Sequence, residues 1–345
     1  MSWEAKFSSD AGAIEASEIR ELLKILGEPG ILSFAGGIPD PDLFPMPEVA
    51  RISRRLEAEP ARYARAMQYS QTEGYQPLRE WIAARHSTPE ITLSTDNVLV
   101  TNGAQQSLML LAMALINADA PMAVANPTYL GALQVFGTRR PRYLTVETDA
   151  DGLVMDSLEA AFKDGARMLY TIPDFQNPGG ISISAQRRQR IIKLAHQYDV
   201  TILEDVAYRT LYYDAPPPLS LLELEGQFLG SDRWQNGGLV IQLGTVSKTM
   251  MPGLRVGWTI APATLLERLV LLKQASDLHT ATYNQILAHE LATTILDDHV
   301  ITLRETYGER RNAMVATLRQ CLPQGVHFTE PKGGMFVWLT LPDGM

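Results

Sequence analysis

The sequence predicts an α/β fold, a mostly parallel sheet with helices on both faces, from three observations. Short apolar runs alternate with amphipathic stretches from about residue 97 onward, the pattern of βα units. Polar and turn-forming residues gather where several of those runs end, which is where open parallel sheets bind ligands. The chain has 345 residues, 46% of them hydrophobic, enough for two domains or one large one with a well-buried core.

In chain order, the first expected element is a helix over Ala13–Leu26, with Ile14, Ile19, Leu22 and Leu23 on one side and Glu28-Pro29-Gly30 to stop it. Phe34–Pro41 is too rich in Gly and Pro for a regular element. Strands are expected at Val98–Val100, Met122–Ala125, Tyr143–Val146, Met168–Ile172, Thr201–Leu203, Leu239–Leu243 and Val256–Ile260. Helices are expected at Ala104–Ile116, after Pro127, at Ala185–Tyr198 and at Pro262–Ser276. Two helical segments fill Tyr283–Cys321, and strand-like runs follow at Val326–Thr329 and Met335–Leu341. The chain divides into an N-terminal arm and helix (1–45), a large domain (46–280) and a smaller α+β domain (281–345).

A net charge of −9 with no basic stripe speaks against a nucleic-acid partner. Met1–Glu18 lacks a basic segment followed by an apolar one, so no signal peptide is expected, and no run reaches the ~20 apolar residues of a membrane span. The single cysteine, Cys321, excludes an internal disulfide and is expected to be a small core hydrophobe; a cytoplasmic location is the default. No metal centre is expected.

Four strand ends carry chemistry. Lys248 follows the run Leu239–Leu243 within Gly244–Arg255, with Thr245 and Ser247 before it and Arg255 seven residues beyond. Desolvation favours a neutral lysine, the form that makes a Schiff base, while hydroxyls and a guanidinium suit a phosphate. The same segment also reads as a surface lysine in a loop. Gly103, between a strand and a helix, lets the backbone N–H groups at the helix start, at Ala104 and Gln105, face an anion, with the Gln105 side chain as a further donor, or simply makes a βα turn. Asn177, in Gln176-Asn177-Pro178-Gly179, offers an amide to a phenolate oxygen or ends a plain turn. Glu204-Asp205 delivers a carboxylate, with Tyr208 three residues on; it meets a protonated pyridine or caps a helix. Phosphate donors, an amide, an acid with a tyrosine, and an amine with an arginine match one ligand, pyridoxal phosphate.

With Ser33–Pro39, Gln68-Tyr69-Ser70, Asn126–Tyr129, Phe175–Pro178, Glu204–Tyr208, Ser247-Lys248, Pro252–Arg255 and Pro331–Phe336 in order, the chain resembles the pyridoxal-phosphate aminotransferases of fold type I, class I/II, in the 2-aminoadipate and kynurenine branch. The resemblance implies that Lys248 forms the imine with the cofactor, that Asp205 pairs with its ring nitrogen, and that Asn177 and Tyr208 contact its 3-oxygen. Thr245, Ser247, Arg255, Gly103, Ala104 and Gln105 would hold the phosphate. Tyr129 would stack on the ring, and Tyr69 would reach the phosphate from the other subunit of a homodimer. It implies transfer of an amino group from an L-amino acid (2-aminoadipate, glutamate, aromatic or branched-chain) to a 2-oxo acid such as 2-oxoglutarate, in ping-pong order. Arg20 would meet a distal carboxylate, though it also reads as a solvated helix arginine; Gly36 and Gly37 would let the substrate approach.

Two residues depart from the common pattern: Ala104 where many relatives have Ser, and Thr245 in place of Ser. The resemblance also implies that the smaller domain is incomplete at the C-terminus, without the arginine that clamps the α-carboxylate. A β-lyase or decarboxylase on the same fold, or an aminotransferase-like sensor domain, are the alternative readings.

Overall fold

The computed structural model describes residues 3–8, 11, 30, 34, 36–342 and 344. The helix expected at Ala13–Leu26 lies outside them. Eight strands form one sheet: β1 (Val98–Thr101), β2 (Pro121–Asn126), β3 (Arg142–Asp149), β4 (Gly152–Leu153), β5 (Met168–Thr171), β6 (Thr201–Asp205), β7 (Val240–Thr245) and β8 (Gly257–Ile260). Their spatial order is β1-β8-β7-β6-β5-β2-β3-β4. The stretch β7-β6-β5-β2-β3 is parallel throughout. β8 runs antiparallel to both β7 and β1, and β4 is antiparallel to β3.

Twelve helices surround this sheet among the described residues: α1 (Met46–Glu57), α2 (Pro60–Ala66), α3 (Gln76–His86), α4 (Ala104–Leu115), α5 (Leu130–Gly137), α6 (Met155–Lys163), α7 (Ala185–Tyr198), α8 (Leu221–Leu229), α9 (Ser231–Gly237), α10 (Ala263–Ser276), α11 (Thr282–Thr294) and α12 (Leu296–Cys321). Strand side chains alternate between faces, so each apolar run feeds two cores. Val98, Ala123, Leu169, Ile202 and Val240 pack with Ile52 of α1, Ile82 of α3, Ile191 of α7 and Ile286 of α11. Their neighbours Leu99, Val124, Tyr170, Leu203 and Leu243 pack on the other face with Leu111 of α4, Phe136 of α5 and Leu269 of α10. Burial on both faces is why these strands read as continuous apolar runs.

The expected strands and helices of the sheet region recur within one to three residues at their ends. Six helices went unread: α6, α8 and α9, and also α1, α2 and α3, although each of these last three carries a proline in its first turn (Pro47, Pro60, Pro77), a position where the missing N–H costs nothing. The tail needs correction. Among the described residues the two expected strands shorten to β9 (His327–Phe328) and β10 (Leu339–Thr340), paired antiparallel. Met335 and Phe336 leave the extended pattern and pack against the core around the loop after β6. Cys321 is also corrected: it ends α12 and is exposed.

Beneath the loop between β5 and α7 lies a buried ion network. Asp174 and Arg188 are both 0% exposed and ion-paired. Arg188 also donates to the carbonyls of Ile183 (2.8 Å) and Pro173 (2.9 Å), and Arg209 donates to Asp174 at 2.9 Å and to Glu223 at 3.0 Å. With both Asp174 oxygens and all three Arg188 nitrogens bonded, the network ties the loop carrying Asn177 to the segment carrying Tyr208. Asp174→Ala should leave Arg188 as an uncompensated buried charge and lower unfolding free energy by about 3–5 kcal/mol, read from the urea midpoint. A midpoint equal to that of the wild type would contradict the assignment.

Candidate active site

The carboxyl ends of β5, β6 and β7 point one way, and β1 delivers its end from across β8. At the β1–α4 junction Gly103 has φ +71°, and a Cβ there would lie 2.5 Å from Nη2 of Arg255. The backbone conformation strains any side chain there, and a Cβ would push the end of the Arg255 side chain aside. No side chain caps the start of α4, so its first N–H groups face outward beside the Arg255 guanidinium. Arg255 is anchored by donating to the Asn102 carbonyl at 3.1 Å and the Pro252 carbonyl at 3.3 Å. The hydroxyls of Thr245 and Ser247 meet at 2.8 Å, and Thr245 donates to the Val256 carbonyl at 3.1 Å. Backbone amides, hydroxyls and a guanidinium thus gather around the junction. Gln105 plays a different part from the one expected of its side chain: its amide donates to the Gly131 carbonyl at 3.1 Å and braces the turn after Tyr129.

Asp205 ends β6 at 4% exposure. Its Oδ1 accepts the Ala207 N–H and its Oδ2 accepts the Tyr170 hydroxyl, each at 3.1 Å. Burial pushes the carboxyl's pKa up; the Ala207 N–H, the Tyr170 hydroxyl and the positive charge of Lys248 pull it back. No cation among the described residues hydrogen-bonds it. Lys248 is half-buried, and its Nζ donates to the Gly37 carbonyl at 3.3 Å and lies 5.7 Å from the Tyr208 ring centre. Burial lowers the Lys248 pKa, with Asp205 opposing. Asn177 donates to the Tyr208 hydroxyl at 3.4 Å, so the two converge as read. Burial raises the Tyr208 pKa, and the Asp205 charge adds to it. The half-buried Tyr129 is likewise raised by burial and by Asp205.

Gly37 presses against Phe336, whose ring stands edge-on to Tyr208 at 5.7 Å. Gly36, Gly37 and Phe336 line a cleft of about 910 Å³. Tyr69 is 79% exposed with its ring against the edge of His279, and among the described residues no bond ties it to this chain's own lysine. Arg20 lies outside the described residues. Two partners were not anticipated. Tyr170 sits in an apolar strand in register with Leu203, on the face Asp205 shares; a lone phenol in such a run needs a polar partner, and that was the available signal. Glu204 points to the opposite face, where it accepts from Leu221 and Leu222 at the start of α8 and from Gln242.

The donor set fits pyridoxal phosphate. A buried carboxylate with only neutral bonded donors suits a protonated ring nitrogen, and the amide and guanidinium cluster at Gly103 suits a dianion.

Comparison with known proteins agrees. Residues 36–344 match the family model for aminotransferase class I and II. The chain is 42% identical over 352 residues to the 2-aminoadipate transaminase of Thermus thermophilus, covering 100% of this chain and 84% of that protein. It is 38% identical to aromatic-amino-acid aminotransferase 1 of Thermococcus litoralis, covering 100% and 82%. The solved α-aminoadipate aminotransferase of Thermus thermophilus, complexed with N-(5′-phosphopyridoxyl)-L-leucine, superposes with a TM-score of 0.91 at 40% identity over 100% of this chain and 84% of that one. The chain therefore belongs to the class I and II aminotransferases, a pyridoxal-phosphate-dependent family of fold type I.

Proposed function

We propose that the chain moves the amino group of 2-aminoadipate or glutamate, and also of aromatic and branched-chain amino acids, to a 2-oxo acid such as 2-oxoglutarate. The observation that carries the reading is the joining, at one sheet edge, of a desolvated lysine and a buried carboxylate that no cation of the described chain bonds. Pyridoxal phosphate, when bound, supplies a carbonyl carbon for amines and a ring that takes up the electrons left when Cα loses its proton. Lys248, favoured neutral by burial, serves as nucleophile and then carries that proton on Nζ. Asp205 stays ionised toward the ring nitrogen, and Asn177 and Tyr208 hold the 3-oxygen. Thr245, Ser247, Arg255 and the backbone of Gly103, Ala104 and Gln105 hold the phosphate, with Tyr129 against the ring.

Gly36, Gly37 and Asn177 border the substrate's approach, and Arg20 meets a distal carboxylate; the names of the two relatives, one acting on 2-aminoadipate and one on aromatic amino acids, support a site that takes both kinds of side chain. The exposure of Tyr69 supports a homodimer in which it completes the neighbouring site. A cytoplasmic location fits the fact that no helix among the described residues is long and apolar enough to cross a membrane.

Borohydride treatment of the holoenzyme should add the cofactor's mass to the wild type and none to Lys248→Ala, whose turnover should fall by roughly 10³-fold or more. Mass addition to the variant would refute Lys248 as the nucleophile. Arg20→Ala should raise KM for 2-aminoadipate more than for leucine; an equal rise for both would assign Arg20 to another role. In mixed dimers, chains carrying Lys248→Ala paired with chains carrying Tyr69→Ala should recover activity that neither homodimer has, because one intact site forms. No recovery would remove Tyr69 from the site.

A further inference from the structure

Asp205 has two carboxylate oxygens and one donor on each. The Ala207 N–H comes from two residues along the same chain, and on its own it leaves the carboxylate free to turn about the bond to Cβ. The second donor comes from the adjacent strand. Tyr170, in register beside Leu203, reaches Oδ2 at 3.1 Å and is fully buried. Its ring is seated edge-on against Phe136 of α5, with centroids 5.4 Å apart. A side chain with no room to swing therefore fixes one oxygen while the backbone fixes the other.

We propose that Tyr170 is a positioning residue for Asp205, setting the plane of the carboxylate and keeping it ionised for the cofactor's ring nitrogen. A phenol has one proton to give. Donated to Oδ2, it favours the carboxylate over the neutral acid. The other groups facing Asp205 leave that proton in place: Tyr129 and Tyr208 are tyrosines whose burial raises their pKa, and Lys248 is the one cation that Asp205 senses among the described residues. Burial and the Asp205 charge also hold Tyr170 itself well above the ordinary tyrosine range, so it remains a donor at any working pH. Without it, Oδ2 loses a bond made in a dry site. The proton that should stay on the ring nitrogen then shifts toward the carboxylate, and the ring draws electrons less strongly.

The inference rests on Asp205 being the acid that meets the ring nitrogen, and the test separates the two. Tyr170→Phe removes one oxygen and keeps the ring against Phe136. In the wild-type background it should raise the Kd for pyridoxal phosphate, measured by equilibrium dialysis, on the order of tenfold. It should lower kcat with little change in KM, and displace the pH midpoint of the bound cofactor's visible absorbance. In an Asp205→Asn background the same change should leave the Kd nearly unaltered, because the two act as a unit. Phe136→Leu, which loosens the ring's seat and leaves the hydroxyl, is the second variant and should show a smaller defect with the same dependence on Asp205. An unchanged Kd and pH midpoint in Tyr170→Phe overturns the proposal, as does an equal loss in both backgrounds. An Asp205→Asn protein that binds the cofactor like the wild type overturns the reading of Asp205 beneath it.

Discussion

A carboxylate taken out of water is tolerated only where its charge is met, and Asp205 is met by neutral donors and by one lysine that does not touch it. Much of the site can be derived from that constraint. Left to burial alone, Asp205 would become a neutral acid and Lys248 a neutral amine. Each opposes this in the other, and a cationic ring would favour the ionised carboxylate further. A lysine that is easily neutral can attack a carbonyl and carry protons; a carboxylate short of a bonded cation can hold a positive ring nitrogen. The tyrosines around them stay protonated for the same reason, burial beside a negative charge.

The parallel sheet makes this arrangement possible. β5, β6 and β7 are neighbours running in one direction, so the loop with Asn177, the Asp205–Tyr208 segment and the Thr245–Lys248 turn all emerge at one edge. β8, reversed between β7 and β1, presses Gly257 against the start of α4, where a Cβ would sit 2.6 Å from the Ala104 nitrogen. That contact holds the uncapped start of α4 next to the lysine turn. Below, the Asp174–Arg188–Arg209 network anchors two of the converging loops.

How far the site could be read depended on where each residue falls in its element. Lys248, Asp205 and Asn177 stood out because a polar group directly after an apolar strand breaks the pattern. Gly103 stood out for its place between strand and helix. Tyr170 did not, because an aromatic residue inside an apolar strand looks like core, and its partner lies 35 residues away on another strand. The Gln105 side chain was assigned to an anion and instead holds a carbonyl. The last strands were read too long because Met335 and Phe336 are apolar for the sake of the core beside Tyr208 rather than for a sheet.

Glu204 and Asp205 show where local information ends. The residues by themselves determined that β6 is a buried strand ending in acid, that the sheet is mostly parallel, and that an amine, an amide and phosphate donors end other strands; these are properties of composition and period. Alternation also dictates that two successive carboxylates point to opposite faces. Which face holds the lysine, and which holds the start of α8, follows from how the crossovers order the strands, and that depends on packing between segments far apart in the chain. The tertiary structure alone decided that Asp205 faces Lys248 and Tyr170 while Glu204 caps a helix, because those partners are brought together by burial on two separate faces of one sheet.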